Sequence, residues 1–145
     1  ISYKYTAVPD VTPDQGIFDE AGFNEYGVSI SATVSASAND KIQKVDTYVK
    51  DGLAESGLTS IVLPSVKTAR EGVELIAKIV EEKGAAEGNI VTIADKEGVW
   101  YMEILSGHQY AAILFPEDRC GLSKYLLLRA CRSVGYRTHD RFKRS

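Results

Sequence analysis

From Val28 the chain alternates without a break, with Val28, Ile30, Ala32, Val34 and Ala36 on one row and Ser29, Ser31, Thr33, Ser35 and Ser37 on the other. A period of two with β-branched residues among the apolar positions predicts a half-buried strand over 28–37. The apolar row belongs to a core. The hydroxyl row reads equally as a solvated sheet face or as the floor of a small polar cleft. Just upstream, Asn24-Glu25-Tyr26-Gly27 predicts a turn, because Asn and Gly tolerate positive φ at low cost.

The remaining pattern frames this strand. Ile1 to Val8 has strand character, Pro9 to Asp14 reads as a loop, and Gly16-Ile17-Phe18 predicts a short strand. After Ser37 a polar stretch reaches Gly57 and reads as an exposed excursion. Leu58 to Val66 predicts a short helix that Pro64 bends or ends. Thr68 and Glu71 then match a capping box. Val73, Ile76, Ala77 and Val80 follow at helical spacing, and Gly84 is placed to stop that helix. Strands are predicted over Asn89–Ala94, Val99–Ile104 and His108–Phe115, with turns at 95–98 and 106–107, which makes an antiparallel meander. Trp100, Tyr101 and Tyr110 read as packing residues and His108 as structural. The sum is an α+β domain, with antiparallel strands and two consecutive helices on one face.

Composition changes this picture at one point. The chain's 145 residues and 44% hydrophobic content suit one domain with a sizeable core. No apolar run approaches the roughly 18 residues of a membrane span, and the opening reads as a strand rather than a signal peptide. Yet residues 1–118 hold 9 Lys+Arg against 19 Asp+Glu, while residues 119–145 hold 8 basic residues against Asp140 alone. Such a step marks a segment of different origin or role. Arg129, Arg132, Arg137, Arg141, Lys143 and Arg144 could neutralise phosphates, but the acidic body and the lack of a binding motif argue against a nucleic-acid partner. Cys120 and Cys131 have neither metal-ligand nor disulfide-framework spacing and suit a reducing, cytoplasmic setting. Composition and pattern offer no nucleophile–base pair, metal site or phosphate loop.

Particular residues say more. GFNEYGVSISAT (22–33), VLPSVKTAREGV (62–73), ADKEGVWYME (94–103), GHQYAA (107–112) and FPED (115–118) occur in an order that resembles the bacterial cysteine dipeptidases of the dipeptidase A type, a family of N-terminal-nucleophile hydrolases. The resemblance covers about residues 3–118. It implies a four-layer αββα fold, with two stacked antiparallel sheets between helical layers. It also implies hydrolysis of dipeptides without metal or organic cofactor. In such enzymes an N-terminal cysteine attacks the scissile carbonyl, its own α-amino group is the base, and strand-borne donors hold the oxyanion.

Residue 1 here is Ile, so the expected nucleophile precedes this chain and no catalytic residue is assigned within it. Cys120 and Cys131 follow the matched region and do not carry over. The resemblance places the far end of the central strand beside the catalytic cysteine, making Thr33 and Ser35 the expected substrate contacts. Residues 1–118 are thus expected to be part of a dipeptidase domain and 119–145 a basic tail foreign to it. The expected partners are a dipeptide substrate and further copies of the chain in a homo-oligomer, with neither nucleic acid nor membrane. The competing expectation is a binding or assembly module that keeps the fold without catalysis.

Overall fold

The computed structural model describes residues 2–10 and 16–116. The basic segment 119–145, with Cys120 and Cys131, lies outside the described residues. Six strands form one antiparallel sheet in sequence order: β1 (Tyr5–Pro9), β2 (Asp19–Asn24), β3 (Ser29–Thr33), β4 (Asn89–Asp95), β5 (Gly98–Ile104) and β6 (Tyr110–Leu114). Between β3 and β4 run α1 (Asp40–Gln43), α2 (Glu55–Val62) and α3 (Ala69–Lys83). Helix α2 lies over β2 and β3, and α3 over β4 and β5. The α+β expectation holds, with two consecutive helices on one face of an antiparallel sheet. No helix among the described residues is long and apolar enough to cross a membrane.

Register explains the core. Ile30 pairs with Ile93 and Ile93 with Trp100, while Ala32, Val91, Met102 and Ala112 form the next row. These rows face the helices, where Leu58, Val62, Ile76 and Val80 are fully buried. Helix α3 carries the expected stripe, and its charges pair along the helix as Arg70–Glu74 and Lys78–Glu82. Its N-terminus is capped as the Thr68/Glu71 spacing predicts, with one difference. Thr68 Oγ1 accepts from Glu71 N at 3.2 Å, but Glu71 reaches back one residue further, accepting from Lys67 N at 2.7 Å. Asp95, at the β4–β5 turn, accepts from Ala69 N at 2.7 Å and from Glu97 N at 2.8 Å, fixing the hairpin to the helix start. At the sheet edge Tyr110 donates its hydroxyl to Glu81 at 2.6 Å.

Four expectations are corrected. The second strand lies at 19–24, not 16–18: DEAGFN has modest strand propensity, but it is hydrogen-bonded on both sides, by β1 and β3. The central strand ends at Thr33, because its partner β4 supplies no residue beyond Ile90 at that end other than the buried Asn89. Ser35 N turns back to Thr33 O at 2.9 Å, and Val34 is left 52% exposed. Helix α2 begins three residues earlier than its pattern suggests and stops before Pro64, which has no N–H to continue the ladder. Finally, the polar excursion is anchored: Leu53 is buried and bridges Ala85, with Val49 N on Ala85 O and Leu53 N on Gly84 O.

Asn24 also acts otherwise than its turn chemistry suggests. Positive φ falls to Gly27 (φ 79), and no residue other than glycine adopts it among the described residues. Instead the buried Asn24 side chain makes four hydrogen bonds. Its Nδ2 donates to Leu63 O (2.9 Å) and Val66 O (2.8 Å), while its Oδ1 accepts from Tyr26 N and Val28 N. The β2–β3 turn is thereby locked to the α2–α3 linker.

Two substitutions test this packing. Ile76→Ala should lower stability by about 2–5 kcal/mol, as large-to-small changes at fully buried positions do; an unchanged denaturation midpoint would show that the α3 stripe is not core. Asn24→Asp keeps the shape but turns a donor into a carboxylate facing two carbonyls. It should cost on the order of 3 kcal/mol or more by chemical denaturation, and a loss under about 1 kcal/mol would remove Asn24 from its central role.

Candidate functional site

One end of the sheet gathers the end of β3, the start of β4, the end of β5 and the start of β6. A cleft of about 330 Å³ opens there, with Ser37, Ala38, Asn39 and Ile42 on one wall and Leu105, Ser106 and Gln109 on the other. Tyr48 holds the walls together. Its hydroxyl accepts from Ala38 N at 3.1 Å and donates to Leu105 O at 3.3 Å. Asn39 caps α1 through Lys41 N and Ile42 N, which sets the first wall.

The second wall is clamped by Asp46. Its Oδ2 accepts from Ser106 Oγ at 2.6 Å and from His108 N at 2.7 Å, and its Oδ1 lies 2.8 Å from His108 Nδ1. A side chain on Gly107 would collide with Thr47 O, so only glycine lets the two loops approach this closely. Serine and histidine sit on opposite oxygens of one carboxylate rather than on each other. That arrangement orients a loop and does not activate a nucleophile.

Burial pushes the Asp46 carboxyl up, but the hydrogen bonds from Ser106 and His108 outweigh it and leave the group below its ordinary value. A carboxyl with a depressed native pKa stabilises the fold above its unfolded pKa, and that contribution disappears as pH falls through the native value.

Thr33 and Ser35 stand beside the cleft at the end of β3. Their hydroxyls lie 3.0 Å apart, and neither residue lines the cleft wall. Behind them, Glu55 at the start of α2 is pushed up by burial and by the charges of Glu20, Glu87 and Asp10. Glu87 accepts from Glu55 N at 2.8 Å. Among the described residues no group of three or more His, Cys, Asp or Glu is arranged to hold a metal ion. Sequence reading placed the strand but carried it past its end at Thr33, and it missed the clamp. Asp46 lay in a stretch read as exposed, and its partners are 60 and 62 residues away. The GHQY string was the one available signal.

Asp46→Asn should destabilise the chain by about 1–3 kcal/mol near neutral pH, through loss of charge-assisted acceptors. It should also flatten the part of the stability profile that falls below the ordinary carboxylate range. Urea melts across roughly pH 3–7, a span that includes the ordinary Asp pKa of about 3.9, measure both effects. A variant with an unaltered acid limb would show that Asp46 does not carry it.

Comparison with known proteins identifies the scaffold. Residues 1–124 match the model of peptidase family C69. The chain is 78% identical over 118 residues to a probable dipeptidase B of Streptococcus pyogenes serotype M1, covering 81% of this chain and 24% of that protein. It is 43% identical over 116 residues to a probable dipeptidase of Latilactobacillus sakei, covering 80% of this chain and 24% of that protein. A probable dipeptidase A of Streptococcus pyogenes serotype M3 is 38% identical over 114 residues, covering 79% of this chain and 24% of that protein. The chain therefore spans about a quarter of the length of the curated relatives it matches. With the family match reaching from the first strand past the last described one, this chain belongs to peptidase family C69.

Proposed function

We propose that this chain is a portion of a dipeptidase that cleaves short peptides with an N-terminal cysteine, and that residues 1–145 alone are inactive. The observation that carries this reading is the identity to proteins named as dipeptidases, 78% over 118 residues and 43% over 116. The cysteine sulfur attacks the scissile carbonyl carbon while the α-amine of the same residue takes the thiol proton. The amine of the leaving amino acid receives that proton as the C–N bond breaks, and water then releases the acyl group from sulfur. Thr33 and Ser35 serve the substrate from the end of β3.

The sheet fits this reading. Helices cover one face, while the other presents Ser29, Ser31 and Thr33 beside the exposed Val8 and Phe23. In a four-layer hydrolase such a face meets a second sheet, and the described residues would supply one helical layer and one sheet. The rest of the protein would supply the opposing sheet and the nucleophile.

Release of free amino acids from a dipeptide panel tests the proposal. The 145-residue chain should release none. The full-length polypeptide carrying it should cleave, and a thiol reagent should abolish that cleavage. Turnover by the 145-residue chain that a Cys120→Ser/Cys131→Ser variant loses would make one of those cysteines the nucleophile and overturn the assignment.

A further inference from the structure

The face of the sheet that the described helices leave open carries one charge across strands β3 to β6. On β3 to β6 that face shows Ser29, Ser31 and Thr33, then Ile90, Thr92 and Ala94, then Val99, Tyr101 and Glu103, then Ala111 and Ile113. Glu103 is half-buried there, between the buried Met102 and Ile104 that point into the core. Its Oε1 accepts from the Tyr101 hydroxyl at 2.8 Å. Tyr101 is itself 3% exposed, with the Phe115 ring 6.4 Å away between centroids, so the donor is held by packing. No lysine or arginine among the described residues forms an ion pair with Glu103. A half-buried carboxylate fixed by a buried tyrosine, and unmatched by any cation among the described residues, is suited to receive one.

Register locates that carboxylate relative to the hydroxyls. Thr33 pairs with Ile90, and Ile90 with Glu103, so Thr33 and Glu103 lie in one cross-strand row. Two strand spacings separate their backbones by about 10 Å. An extended dipeptide spans about 7 Å and fits over Ile90 between the two ends of the row. Resting on the dipeptidase reading above, the geometry points to Glu103 as the residue that binds the free α-ammonium group of the substrate, with Tyr101 as its positioning residue and the Thr33–Ser35 hydroxyl pair at the other end. This gives the enzyme a physical reason to demand an unblocked amino terminus. Acetylation removes the positive charge and leaves the half-buried carboxylate opposite a neutral amide.

The test uses the full-length polypeptide, with dipeptides and their N-acetylated counterparts as paired substrates. The wild type should favour the free dipeptide. Glu103→Gln should raise KM for the free dipeptide by about 10–100-fold, the value of a charge-assisted hydrogen bond, and raise that for the acetylated substrate by a much smaller factor, so the preference collapses. Tyr101→Phe keeps the ring and should move the same ratio in the same direction by a smaller factor. Far-UV circular dichroism and the thermal midpoint establish that each variant folds. If Glu103→Gln does not fold, the Tyr101→Phe ratio and the wild-type preference decide. A folded Glu103→Gln enzyme with the wild-type preference, or a wild type indifferent to acetylation, overturns the inference while the dipeptidase reading stands. A wild type that cleaves no dipeptide overturns that reading, and the inference with it.

Discussion

The side chain of Asn24 is the constraint on which the arrangement of sheet and helices depends. A buried amide has two donors and an acceptor, and here all are used: two carbonyls of the α2–α3 linker and two amides of the β2–β3 turn. The bonds to Leu63 O, Val66 O and Val28 N are buried, and a buried backbone group left without a partner costs roughly 1–3 kcal/mol. One residue thus satisfies both a strand turn and a helix connection. It also fixes how far the helical layer sits along the sheet.

The N-terminal strand is drawn into the same knot. Tyr3 N donates to Pro64 O, and the Tyr3 ring meets Tyr26 edge-on at 4.8 Å between centroids. Lys67 lies over both rings, 5.7 Å from one centroid and 5.1 Å from the other. Asp95 repeats the device further along the sheet, tying the β4–β5 turn to the start of α3. Turns at one end of the sheet are therefore held to the helical layer by single polar side chains. The other end, where β3 and β5 finish, carries the cleft and the Asp46 clamp. The rigid end supports the helix packing, and the opposite end is left to present loops, the usual division between scaffold and site.

The single-sided covering of the sheet bears on function in the same way. A sheet packed on helices through Ile30, Ala32, Val91, Ile93 and Met102 has a complete core on that side. Its other side has hydroxyls, exposed apolar residues and one tyrosine-held carboxylate. These are the materials that the proposed second sheet and the proposed substrate would meet. A neutral row would serve the first of these alone.

The sequence by itself determined what depends on near neighbours. The α3 stripe, its Thr68 cap and the 89–115 meander follow from helical spacing, capping chemistry and two-residue alternation, all local properties of the chain. Their ordered residue strings also placed the chain in its family. Tertiary structure decided the rest, because the deciding partners are distant in sequence. DEAGFN became a strand because β1 and β3 flank it, and the Val28 alternation stopped at Thr33 where pairing with β4 ran out. Asp46 acquired a role from Ser106 and His108, some sixty residues on. Glu103 and Thr33 entered one row through Ile90, a juxtaposition that strand register creates and that no spacing along the chain encodes.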